Sequence, residues 1–90
     1  MSVLVHLHKT HRQYTDGRET LSVKGKTVGE CLLDLVSQYP GMGPALFKSK
    51  GKLQNAIEIY LNMESAYPDE LKRPTRSGDE IHITLILAGG

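Results

Sequence analysis

Ninety residues with a 39% hydrophobic fraction fit one compact domain and leave no room for a second. A formal net charge of +1 gives no reason to expect a nucleic-acid or membrane partner, and no stretch approaches the roughly 20 apolar residues of a membrane span. Met1 to Lys9 lacks the layout of a secretory signal, and the single cysteine, Cys31, excludes an internal disulfide, a CxxC redox pair and a cysteine-rich zinc site. The expectation is a cytoplasmic protein held together by its hydrophobic core.

Val3, Val5 and Leu7 alternate with Leu4, His6 and His8, the period of two that sends successive side chains to opposite faces of a strand. The pattern dissolves after Thr10, turns at Asp16-Gly17, where both residues tolerate positive φ, and resumes at Leu21 and Val23. Residues 2–24 therefore read as a hairpin with a long loop. Thr27 followed by Glu30 forms a capping box, which places a helix start there. Val28, Leu32, Leu35 and Tyr39 lie at helical spacing with Cys31 and Val36 beside them, while Glu30, Asp34 and Gln38 fall on the side expected to face water. Pro40-Gly41 stops the helix. Gly43-Pro44 can open a short turn that tucks Leu46 and Phe47 back under it.

A third strand is predicted where Ile57, Ile59 and Leu61 alternate with Glu58 and Tyr60. Residues 62–77 are polar, contain Pro68 and Pro74, and read as a long connection with room for one short strand or turn. After the turn signal Ser77-Gly78-Asp79-Glu80, the residues Ile81, Ile83, Leu85 and Leu87 alternate with His82, Thr84 and Ile86 in a final strand. Strand, strand, helix, strand, strand is an α+β order in which one helix can cover one face of a mixed sheet. Periodicity alone leaves several small α+β topologies open.

Thr27-Val28-Gly29-Glu30, Ser77-Gly78-Asp79-Glu80-Ile81 and above all Ala88-Gly89-Gly90 together resemble the ubiquitin-related sulfur-carrier family that includes the molybdopterin-synthase small subunit and the thiamine thiazole carrier. Within it, Leu35 to Leu46, Gly51-Lys52-Leu53 and Ile59-Tyr60-Leu61-Asn62 are most similar to the cysteine-biosynthesis carrier and archaeal molybdopterin-type members. The resemblance implies a ubiquitin-like β-grasp over residues 1–87, a mixed sheet of four to five strands on one main helix with the first and last strands parallel at the centre. Residues 88–90 would be a flexible tail.

It also implies that the Gly90 carboxylate is adenylated by a ubiquitin-activator-like enzyme and converted to a thiocarboxylate. ATP and Mg²⁺ would come from that enzyme, with no cofactor bound by this chain. A sulfur donor protein and a sulfur-acceptor enzyme, either a molybdopterin-synthase large subunit or an amino-acid synthase, complete the implied partners. Gly89 and Ala88 would make the slender tail that Leu85 to Leu87 aim. Glycine suits that task because it has no Cβ to obstruct a narrow cleft and reaches all φ/ψ values the passage requires. Adenylation suits the carboxylate, whose charge and resonance otherwise repel nucleophiles. The readings left open are a sulfur carrier, a ubiquitin-like modifier joined to lysines through Gly90, and an interaction module without reactivity.

If the even-numbered side chains of the last strand face outward, Leu4, Tyr60 and Ile86 would form an exposed apolar patch beside the tail, either a docking site or ordinary scattered hydrophobes. His6, His8 and His82 share that face. No carboxylate or thiol stands out at a matching position, so no metal site is expected. Cys31 reads as packed, and the basic groups Lys48, Lys50, Lys52 and Lys72, Arg73, Arg76 as solvated loops. No Ser-His-Asp set, phosphate loop or zinc motif is present, so no catalysis by this chain itself is expected.

Overall fold

The computed structural model describes residues 2–86. The first alternating segment forms β1 (Val3–His6) and pairs antiparallel with β2 (Thr20–Val23), Val5 opposite Leu21. The polar segment between them is more ordered than its composition suggests. His8 Nδ1 accepts the Thr10 amide at 3.1 Å and starts a 3₁₀ turn, Lys9–Tyr14, which buries His11. Thr15 is also buried, its hydroxyl donating to the carbonyls of Arg12 and Arg18. Asp16 and Gly17 then turn the chain at φ values of 54° and 79°, as their residue types predict.

Helix α1 (Val28–Gln38) starts where the capping box lies: Thr27 Oγ1 accepts the Glu30 amide at 3.1 Å, and the Glu30 carboxylate reaches back to the Lys26 amide at 2.9 Å. Val28, Cys31, Leu32 and Leu35 are fully buried. The opposite side of the helix does more than meet water. Asp34 accepts the Lys24 amide at 2.9 Å and Gln38 donates to the Ser22 carbonyl at 3.1 Å, so α1 is laced along the outer edge of β2 and satisfies backbone groups that an edge strand leaves unpaired. A short α2 (Met42–Leu46) follows Pro40 and buries Met42 and Leu46, with Phe47 packed partly against the same core.

Strand β3 (Ile57–Leu61) turns through Asn62 and Met63, both at positive φ, into the two-residue β4 (Glu64–Ser65). A two-residue loop of this kind is the primed turn that matches strand twist. Asn62 also joins the hairpin to the last strand, exchanging hydrogen bonds with the Glu80 backbone and donating to Asp79 Oδ1 at 3.1 Å. The proline-containing connection runs past the start of α1 with a 3₁₀ turn at Glu70–Lys72. The Val28 amide donates to the Arg73 carbonyl, and the Thr75 amide to that of Lys26, both at 2.9 Å.

Strand β5 (Glu80–Leu85) completes a five-stranded sheet of order β2-β1-β5-β3-β4, with β1 and β5 parallel at its centre. This is the β-grasp arrangement, and it settles the topology that periodicity left open. Ile81 and Ile83 project into the core beside Val5 and Ile59. Leu87, expected to continue the strand, lies outside the described residues. Among the described residues no helix is long and apolar enough to cross a membrane.

Among the described glycines, the one with least room for a side chain is Gly25, between β2 and α1. A Cβ on Gly25 would stand 2.6 Å from the Cys31 amide nitrogen and 2.8 Å from Glu30 Cβ, both held by the helix start. Gly25→Ala is expected to cost about 1–3 kcal/mol, as overpacking of a close contact does. Thermal unfolding should therefore shift down by several degrees. An unchanged midpoint would show that the β2 to α1 junction is looser than this packing requires.

Candidate functional site

The C-terminal end of β5 is the part of the molecule to which the sequence assigns chemistry. Gly90, Gly89 and Ala88 lie outside the described residues. What the structure shows is the strand that leads to them: β5 pairs with β1 over Glu80 to His82 and with β3 over Ile81 to Leu85, and the Ile86 amide continues the β3 ladder with a 2.7 Å bond to the Ala56 carbonyl. The chain is thus guided by a central strand up to Ile86, whose side chain is 45% exposed.

The open face of the sheet carries Leu4, His6, Glu58, Tyr60, Glu80, His82, Thr84 and Ile86, as the alternation predicts. The register corrects the expected patch. Leu4 stands opposite Glu80 and Tyr60 opposite His82, whereas Ile86 lies six residues beyond Glu80 on the same strand, about 20 Å at the usual rise per residue. Leu4, Tyr60 and Ile86 are therefore separate points along the face, with polar side chains between them. Alternation assigns a residue to a face, but position along the strand depends on register, which sequence spacing did not supply.

The polar side chains on this face form two groups. Thr84 Oγ1 donates to Glu58 Oε1 at 3.3 Å, and Tyr60 lies beside the same carboxylate. His6 and His82, paired across the parallel strands, stack with ring centroids 4.1 Å apart and planes 6° from parallel. His6 Nε2 meets Glu80 Oε1 at 2.6 Å. His82 Nδ1 is shielded from solvent and has no hydrogen-bond partner among the described residues. Burial, and after it the neighbouring His6, lowers the His82 pKa below the usual imidazole value, against an opposing pull from Glu80.

Two sequence expectations about histidine change here. His8 turns away from the cluster to Thr10 and sits edge-on to His11. The carboxylate judged absent is Glu80, which with His6 and His82 places three potential metal-ligating atoms within 4.8 Å of one another. Its signal was the same alternation, since residues 80, 82 and 84 share a face. The basic loops are also less uniform than expected: Arg73 folds inward to donate to the Ala66 carbonyl at 3.2 Å, and Lys48 bonds Asn55 at 2.8 Å. On the helical side, Leu33, exposed by 63%, borders a shallow apolar groove with Pro44, Phe47 and Leu71 that helical periodicity did not single out.

No protein-family model matches the chain. Sulfur carrier protein CysO of Mycobacterium tuberculosis is 32% identical over 93 residues, with both chains covered in full. The chain belongs to the CysO sulfur-carrier family. A chain in the crystal structure of the BexX/CysO complex of Amycolatopsis orientalis agrees, with a TM-score of 0.88 at 31% identity over 98% of this chain and 99% of that one. SAMP1 of Haloferax volcanii has a TM-score of 0.86 at 28% identity, with both chains covered in full.

A sulfur carrier with one thiol raises the question whether that thiol handles sulfur. In this CysO relative, Cys31 is fully buried on α1, its Sγ 3.6 Å from Thr75 Oγ1 and 3.7 Å from the Gly25 carbonyl. Burial raises its pKa, outweighing the lowering by the Thr75 hydrogen bond, and Asp34 and Glu30 raise it further. The folded protein should therefore resist thiol-reactive disulfide reagents at mildly alkaline pH and release one equivalent of chromophore only in denaturant. Rapid reaction of the native protein would reopen a role for Cys31.

Proposed function

We propose that the chain carries sulfur as a thiocarboxylate on Gly90. The observation that supports this best is the end-to-end match to a sulfur carrier, together with Ala88-Gly89-Gly90 following a centrally placed strand. In this reading an activating enzyme transfers AMP from ATP to the Gly90 carboxylate with loss of pyrophosphate. A persulfide sulfur from a donor protein then attacks the carbonyl carbon and AMP leaves. A second thiol, on the donor protein or free in solution, then attacks the donor's sulfur of the resulting acyl disulfide, forms a disulfide with it and releases the thiocarboxylate, a softer and stronger nucleophile than the carboxylate. The acceptor is an enzyme of sulfur amino-acid or molybdopterin synthesis.

The carrier supplies a path for the tail and contributes no side chain to these steps. Ile86, the exposed apolar residue at the tail end of the open face, is the proposed contact for the activating enzyme or the acceptor. Leu4, at the other end of the face, has no part in it.

A second reading is favoured by the likeness to small archaeal modifier protein 1: the same adenylate captured by a lysine amine would join Gly90 to another protein. Intact mass spectrometry after co-expression with a ubiquitin-activator-like enzyme separates the two. The sulfur-carrier reading predicts the mass gain of one sulfur replacing one oxygen, located in the C-terminal peptide and lost when Gly90 is deleted. Unchanged mass accompanied by lysines linked to Gly90 would favour the modifier.

A further inference from the structure

We propose that His6, Glu80 and His82 form a binding site for a divalent late transition-metal ion of the Zn²⁺ class. Two imidazoles and one carboxylate are a donor set suited to such ions, and a fourth position would remain open to water or to a donor from a partner. The three residues come from the two central strands, where the parallel register sets His6 beside His82 and the period of two brings Glu80 onto the same face. Ligands mounted on paired strands are held more precisely than ligands on loops.

Their ligating atoms lie within 4.8 Å of one another. Two ligands of a tetrahedral ion bound at 2.0–2.1 Å are about 3.4 Å apart, so closing on a metal requires only side-chain rotation. The imidazoles now stack face to face, and a metal binds in the plane of each ring, so at least one ring must turn about its Cβ–Cγ bond. Among the described residues His82 Nδ1 has no hydrogen-bond partner, so its stacking on His6, rather than a hydrogen bond at that atom, is what a change of ring orientation must overcome. His6 and Glu80 already share a 2.6 Å contact, which a bridging cation would replace. Their side chains are 28% and 50% exposed, which leaves a route from solvent. The site would clamp β1 to β5 and does not depend on the sulfur chemistry, so failure of either proposal leaves the other standing.

The test is calorimetric titration of the tag-free full chain with Zn²⁺, with proton NMR of the imidazoles alongside. One equivalent is expected to bind, and His6→Gln, Glu80→Gln and His82→Gln should each weaken binding by about tenfold or more. His8→Gln should bind as the parent does. In the unsubstituted protein Zn²⁺ should shift the His6 and His82 ring resonances and leave those of His8 and His11 in place, a readout that does not depend on any variant folding. Absence of binding, binding that survives all three substitutions, or shifts confined to His8 and His11 would each overturn the proposal.

Discussion

The parallel pairing of β1 with β5 is the contact on which the rest of the molecule depends. It joins the first strand to the last, so it closes nearly the whole chain, and Val5 and Ile81 meet across it with no exposed surface. Such a pair needs a crossover and a cover on its buried face. The intervening chain supplies both: α1 covers the face, and β2 and β3 take the two outer flanks. Hydrophobic burial is the main stabilising term, with a fully buried valine or isoleucine contributing about 1.5–3 kcal/mol. Small polar devices fix where the pieces sit, among them the Thr27 cap, the Asp34 and Gln38 ties to β2, and the Asn62 link to Glu80.

On the proposed reading, this architecture lets a small carrier serve chemistry performed by its partner enzymes. On that reading β5, paired with β1 over Glu80 to His82 and with β3 over Ile81 to Leu85, gives the tail a fixed point of departure at Ile86. The Ala-Gly-Gly sequence would then supply reach at little steric cost. In the proposed mechanism the reacting group belongs to the tail, and direction belongs to the sheet. Cys31, the one thiol of the chain, is sequestered on the buried face of α1.

Much of this was legible because local and global signals agreed. Alternation marked β1, β3 and β5, and Thr27 with Glu30 marked the helix start to the residue. The parallel centre came from family resemblance, since alternation says nothing about which strands are neighbours. Three features escaped for identifiable reasons. The 3₁₀ turn at Lys9–Tyr14 depends on His8 capping Thr10 and on burial of His11, neither of which composition signals. Arg73 reads as a solvated cation until its tie to the Ala66 carbonyl is seen. Leu4, Tyr60 and Ile86 were assigned to the right face, but register, which spacing does not encode, sets them apart, and the same register draws Glu80 into the histidine pair.

Amide hydrogen exchange, resolved by residue, tests the central claim most directly. If β5 is the fixed strand that aims the tail, the amides of Ile81 to Thr84 should exchange only through global unfolding and be among the slowest in the protein. The Ile86 amide, bonded to Ala56, should still be protected relative to the surface loop at residues 49–55. Exchange of the β5 amides as fast as that loop would contradict the account, because the tail would then depart from a strand that opens freely.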